Sequence, residues 1–275
     1  MNEGAAAEGP GPLRGGPPVI PRPHDWREGR PAPWSADFPH RSAQRPLLPS
    51  SLTLQRVAEA FPPERSGRPS PVETEGAAPS AVLVAFFEEP ADGGDEPGLH
   101  VLLTRRAWGL RTHRGEVAFP GGRCELGESS AEAAVREAWE ETALDPGEVR
   151  VLGELDHLTT VTRRAYIVPV VATLPGRPEL EANPDEVDQV LMVPVAELLA
   201  DGVFREERWG DDELHRPVYF FELVGDTVWG ATAAMLRQAL ALLVGVDAGA
   251  LEDLDPARGI STAFRLTDDQ AEGVV

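Results

Sequence analysis

GGRCELGESSAEAAVREAWEETAL, residues 121–144, is the stretch on which the reading of this chain turns. Ser129 with Glu132 three residues on has the form of a capping box, in which hydroxyl and carboxylate each satisfy one orphan amide of a first helical turn. A helix is therefore expected from about Ser130. Ala131, Ala133, Ala134 and Ala138 favour it, and the Asp145-Pro146-Gly147 step ends it. On that helix Glu137, Glu140 and Glu141 stand at i, i+3 and i+4, hence on one face. Three like charges so placed repel one another unless a cation sits among them. Arg136, four residues before Glu140, can reach one of them. A divalent ion such as Mg²⁺, which prefers carboxylate oxygens, would neutralise the rest. The competing reading is a solvated acidic face, common in a chain of net charge −21.

The spacing upstream favours the cation. Gly122, five residues, Glu128, seven residues, Arg136-Glu137 and then Glu140-Glu141 resembles the Nudix box of the Nudix hydrolases. That resemblance implies a Nudix fold, an α/β/α sandwich with a mixed β-sheet. It also implies that Glu137, Glu140 and Glu141 hold Mg²⁺ or Mn²⁺, with the Gly122 carbonyl as a further ligand. Glu128 would pair with Arg136 or reach an outer metal through water, and Arg136 would orient the carboxylates. Glu137 is the first choice for the general base, with Glu141 and Arg136 beside it in the catalytic group. One position departs: where the family has a Gly after the acidic pair and one more residue, this chain has Ala143. If that residue must be left-handed, Ala there costs roughly 1 kcal/mol.

A second pattern, LLTRRAWGLRTHRGEVAFPGG at residues 102–122, resembles the signature of the coenzyme A pyrophosphatase branch of that family. Leu102, Leu103, Thr104, Arg106, Ala107, Arg111, His113, Gly115, Phe119, Pro120, Gly121 and Gly122 match it. Glu116 stands where Gln is common. Arg105, Arg106, Arg111 and Arg114 form a positive island in an acidic chain, and Arg forks bind phosphate bidentately. The expected substrate contacts are Arg106, Arg111, His113, Arg114 and Gly121. A solvated basic hairpin is the alternative, and His113 has the further alternative of a structural donor. Segments 183–187 (NPDEV) and 229–233 (WGATA) also look like family segments. Glu186 reads as an additional metal ligand or base, or else as part of a surface acidic turn. Trp229 and Thr232 read as a strand-to-helix junction. The resemblance covers roughly residues 81–244 and implies hydrolysis of coenzyme A or its thioesters to 3′,5′-ADP and 4′-phosphopantetheine. Its rivals are a Nudix hydrolase for another diphosphate (ADP-ribose, a dinucleotide, a nucleoside triphosphate) and a non-catalytic binding module on the same fold.

Outward from the motifs, the 275 residues divide by composition. Residues 1–79 hold 16 of the 27 prolines and lack long apolar periodicity, so little of that segment is expected to order. A short helix at 52–61, with Ser51 as its cap, is the expected exception; Trp26, Trp34 and Phe38 are further candidates to dock. Residues 80–246 read as the folded domain and 247–275 as an acidic tail. Strands are expected at 81–87, 99–104, 150–155, 165–174, 189–193 and 218–223, and helices at 195–200 and 231–244.

All 25 basic residues are arginine, which excludes lysine Schiff-base chemistry and the phosphate-loop lysine. Cys124 is the one cysteine, so an internal disulfide is excluded and a reducing, cytoplasmic setting is expected; its thiol reads as incidental. The N-terminus has no apolar h-region, and no apolar run nears the roughly 18 residues of a membrane span. The negative field disfavours nucleic acid and anionic membrane as partners. A homodimer stays open.

Overall fold

The computed structural model describes residues 13–18, 20, 22–35, 47–72, 76–90, 97–160, 163–210 and 216–246. The expected tail at 247–275, Phe38 and residues 91–96 lie outside them. In chain order the elements are β1 (Trp26–Glu28), α1 (Leu54–Ala60), β2 (Ala78–Pro90), β3 (Pro97–Arg106), β4 (Val117–Ala118), β5 (Gly121–Arg123) and α2 (Ser130–Thr142). There follow β6 (Arg150–Glu154), β7 (Leu158–Thr159), β8 (Ala165–Thr173), β9 (Val187–Pro194) and α3 (Val195–Leu198). The last are β10 (Phe204–Trp209), β11 (Arg216–Glu222), β12 (Thr227–Trp229) and α4 (Gly230–Val244).

The run AVLVAFF has no polar alternation because both its faces are covered. Ala81, Leu83, Ala85 and Phe87 pack with Ala133, Ala134 and Ala138 of α2 on one side. Val84 and Phe86 point the other way, into a cluster with Leu236, Leu240 and Leu243 of α4 and Val57 of α1. Helix, sheet, helix is thus the layering, and the chain has an α/β fold. The sheet itself is mixed. Strand β2 pairs parallel with β8 and antiparallel with β3 and β5. Strand β3 carries β4 and β9, and β8 carries β6 and β7.

A second sheet, ordered β1-β10-β11-β12, was not expected. Its inner face sends Tyr219, Phe221 and Val228 into the α4 cluster. Its outer face stacks Trp209, Phe220 and Trp229. Strand β10 escaped sequence reading because FREERW looks like a polar surface run. Its Glu206 and Glu207 are in fact buried and held by arginines: Arg208 on Glu206, Arg22 and Arg205 on Glu207. The N-terminal segment supplies part of that arrangement. Trp26 pairs with Trp209 in register, Gly15 bridges Val224, and Trp34 stacks on Phe221 at 6.3 Å. The paucity expected of residues 1–79 is therefore corrected for 13–18, 20 and 22–35. Strand pairing and arginine pairing order that stretch, and neither depends on apolar periodicity.

The cap of α1 is also corrected. Thr53, not Ser51, accepts the Arg56 amide at 3.2 Å, while Ser51 sits in a 3-10 turn and donates to the Leu48 carbonyl. Among the described residues no helix is long and apolar enough to cross a membrane.

Candidate active site

Three stretches meet around the C-terminal half of α2. The first is the box itself. The capping box forms as its spacing requires: Ser129 Oγ accepts the Glu132 amide, and Glu132 accepts the Ser129 amide at 2.9 Å. Strand β5 runs against β2, pairing Gly122 with Ala81 and Gly121 with Val82. This lays the two glycines alongside the helix. A Cβ on Gly122 would stand 2.4 Å from the Glu137 carboxyl carbon, and one on Gly121 would stand 2.4 Å from the Ala81 carbonyl oxygen. Only glycine lets the backbone come this near the carboxylate.

Arg136 organises the acids more fully than its spacing foretold. Its Nε and Nη2 donate to both oxygens of Glu128 at 2.9 and 3.1 Å. Its Nη1 donates to Glu137 at 3.0 Å and Glu140 at 3.2 Å, and Nη2 also reaches the Arg123 carbonyl. These bonds hold the guanidinium above its usual range and hold the Glu128 carboxyl below the usual carboxylate range. Glu141 lies outside that network. It is 3% exposed, accepts the Gly121 amide at 3.2 Å, and has Arg106 Nη1 4.0 Å away. Burial pushes its carboxyl up to about 7, with the charges of Glu186 and Glu137 adding to the shift against Gly121 and Arg106. Glu137 is pushed up as well, first by burial, although Arg136 opposes it.

The second stretch is the turn before β9. The Asn183 amide donates to the Glu141 carbonyl and the Glu181 amide to that of Thr142, so this turn satisfies the free end of α2. The Glu186 carbonyl accepts from the Ala107 amide, and the Glu186 charge is felt by both Glu137 and Glu141. The residue thus belongs to the same neighbourhood.

The third stretch is the arginine loop between β3 and β4. Arg106 leaves β3 toward Glu141, with its Nε buried and without a hydrogen-bond partner. Arg111 and Arg114 are exposed. His113 is left-handed (φ 57°) and its Nδ1 lies 3.1 Å from Glu116, so it braces the loop. Arg105 departs from the expected island. It is spent on Asp188, Asp226 and Gln189, tying the central sheet to the turn before β12. Trp229 and Thr232 are buried at the β12–α4 junction. Cys124 is half-buried, and burial raises its thiol.

A cavity elsewhere, about 280 Å³, is lined by Ile20, Arg22, Arg205, Trp209 and Phe220 among others and shares no residue with the glutamates. Its guanidiniums are matched by Glu207 and Glu222, so it offers no net charge to an anion. The glutamates of α2, two of them with raised carboxyls and Arg106 alongside, are the candidate site.

Residues 79–214 match the NUDIX domain family. A protein of Escherichia coli K12 named Uncharacterized Nudix hydrolase NudL is 40% identical over 171 residues, 61% of this chain and 83% of that one. The chain belongs to the Nudix hydrolases. A Citrobacter koseri protein of the same name is 38% identical over 204 residues, covering 72% of this chain and 97% of that one. A MutT/nudix family protein of Enterococcus faecalis overlays with a TM-score of 0.41 at 19% identity, covering 68% and 80%. Enzymes of this family act on nucleoside diphosphate derivatives and generally use divalent cations. The donor type present suits such an ion, since hard divalent cations prefer oxygen ligands. The side-chain donors are all carboxylate oxygens, two of the carboxylates are destabilised as anions by burial, and the Gly122 backbone lies against the Glu137 carboxylate. Among the described residues no three His, Cys, Asp or Glu side chains are drawn together into a metal-binding group. Arg136 serves as counter-ion to Glu137 and Glu140 instead.

Proposed function

We propose that this Nudix hydrolase cleaves the diphosphate bond of coenzyme A or acyl-coenzyme A, yielding 3′,5′-ADP and (acyl-)4′-phosphopantetheine. The observation that carries the reading is the arginine loop. In a chain of net charge −21, Arg111 and Arg114 stand exposed, and Arg106 keeps a buried Nε unpartnered beside Glu141. Coenzyme A carries a 3′-phosphate as well as the diphosphate, so it is more anionic than ADP-ribose and makes fuller use of several guanidinium forks.

Glu137, Glu140 and Glu141 are the residues that would hold Mg²⁺ or Mn²⁺, with Glu128, Glu186 and the Gly122 carbonyl as further oxygens. When bound, the cation supplies charge for the diphosphate oxygens and acidifies a water. Arg106 and the loop arginines bind and orient the diphosphate. Glu137, the less buried of the two raised carboxylates, receives the proton of the attacking water on its carboxylate. Arg136 holds Glu137 and Glu140 in place, and Gly121 fixes Glu141 through its amide.

The test is Mg²⁺-dependent hydrolysis across coenzyme A, acyl-coenzyme A, ADP-ribose and NADH, with products resolved by mass. Preferred turnover of coenzyme A or its thioesters to the two named products is expected. Preference for ADP-ribose or NADH would move the assignment to another diphosphate. No EDTA-sensitive turnover of any of them would leave a binding module.

A further inference from the structure

We propose that Trp108 is the stacking platform for the nucleobase of the diphosphate substrate. This deepens, and rests on, the nucleotide-diphosphate reading above. Large side chains left in water singly are ordinary, so exposure alone decides nothing. Four features set Trp108 apart.

Trp108 is 48% exposed and yet packed against its own loop. It lies directly on the backbone of Gly115, where an added Cβ would be 2.3 Å from its Cη2, and Gly115 holds a left-handed φ of 72° to permit this. One side of the ring is thereby seated on the loop and much of the rest faces solvent. The loop is itself closed at its base: the Gly115 amide donates to the Arg106 carbonyl, and the Arg106 amide donates to Glu116.

The backbone that carries the ring leaves directly from the candidate site. It is two residues past Arg106, which reaches 4.0 Å from Glu141, and one past Ala107, whose amide holds the Glu186 turn. Finally, the loop that carries it also carries the exposed guanidiniums of Arg111 and Arg114. A pre-seated aromatic plane among uncommitted cations matches a ligand that joins a planar base to phosphates. Stacking uses the π-face common to all bases, and the guanidiniums select the phosphates. Pinning the ring beforehand also spares the ordering cost of recruiting it on binding.

The experiment compares the wild-type chain with Trp108→Ala, Trp108→Phe and, as a control, Trp139→Ala. Trp139 is comparably exposed (54%) but lies on α2 rather than on the loop. Binding of 3′,5′-ADP and of inorganic pyrophosphate is measured by calorimetry in Mg²⁺, and KM and kcat are measured for coenzyme A and ADP-ribose. Expected for Trp108→Ala is a loss of roughly tenfold or more in 3′,5′-ADP affinity, matched by a rise in KM, with kcat and pyrophosphate binding within about twofold. Trp108→Phe should retain most of the affinity, and Trp139→Ala all of it. Unchanged 3′,5′-ADP binding in Trp108→Ala would overturn the platform. Equal losses for 3′,5′-ADP and pyrophosphate would also overturn it, since the ring would then only shape the loop. If the wild type ignored coenzyme A but hydrolysed ADP-ribose in a Trp108-dependent way, the coenzyme A reading would fall and the platform would stand.

Discussion

Glu141 combines a buried carboxylate with a single close cation, Arg106 at 4.0 Å. Its folded pKa, about 7, lies above the ordinary carboxylate value, so the folded state holds its proton over a pH range where the unfolded state has lost it. Stability therefore falls as pH rises from about 4.5 toward 7, and above that the cost stays. Glu141→Gln removes the charge and keeps the shape. In EDTA this variant is expected to melt above the wild type at pH 8, by an amount worth up to about 3 kcal/mol, and level with it near pH 4.5. Its turnover in Mg²⁺ should fall at least about 100-fold, as on loss of a principal charge-stabilising group. Near-normal turnover, or no difference between the melts at pH 8, would remove Glu141 from the proposed role. Ala143 carries strain of a different sort. It caps α2 with φ 56° and ψ 20°, a left-handed conformation that costs an L-residue about 1–2 kcal/mol, less what the stiffer unfolded chain returns. Ala143→Gly should raise Tm by roughly 2–4 °C for a net gain near 1 kcal/mol, with kcat unchanged. A drop in Tm would show that the strain is offset elsewhere.

Among the elements, β1 and the strap before it are the test of how far the working domain extends. Gly16 donates to Thr227 Oγ1, the Thr227 amide to the Pro17 carbonyl, and the adjacent Asp226 receives Arg105. The strap thus touches a turn that touches the arginine loop's own strand, but no strap residue contacts the glutamates among the described residues. Deleting residues 1–35 uncovers the Trp209–Phe220 face and leaves Glu207 without Arg22. A fall in Tm of about 5 °C or more is expected, since each apolar side chain re-exposed costs about 1.5–3 kcal/mol. Catalytic efficiency of the surviving folded fraction should stay within a few-fold. If the truncated chain kept its Tm and lost turnover, the strap would have to take part in the reaction.

Over the whole molecule the charge of −21 attracts any cation, so a metal effect on stability needs a control for screening. At matched ionic strength, millimolar Mg²⁺ should raise Tm above NaCl, because a ligand of the folded state alone stabilises it by mass action. The surplus should vanish in Glu137→Gln/Glu141→Gln. A surplus that survives in the double variant would place the cations on the general acidic surface.

The α2 stretch was legible as a capped helix because its features are local. A capping box, a set of acids at i, i+3 and i+4, and a Gly at fixed spacing depend on helical geometry and short connections, which the nearby sequence sets. The apolar runs of β2 and α4 were legible because burial on all sides leaves no alternation to misread. What tertiary structure decided depends on partners far along the chain. Arg105 and Arg106 are neighbours in sequence, yet one is consumed by Asp188 and Asp226 while the other faces Glu141 at 4.0 Å with its Nε unpartnered. Strand β10 hides two buried glutamates that only arginines 2 to 185 positions away make tolerable. Glu141, third in a row of similar acids, differs from Glu140 because the fold buries it under Gly121 and shields it from Arg136. Residue type and spacing determined which groups could meet. Burial and the choice of counter-ion, set by the packed sheets, determined which of them remain charged, unpaired and available to a substrate.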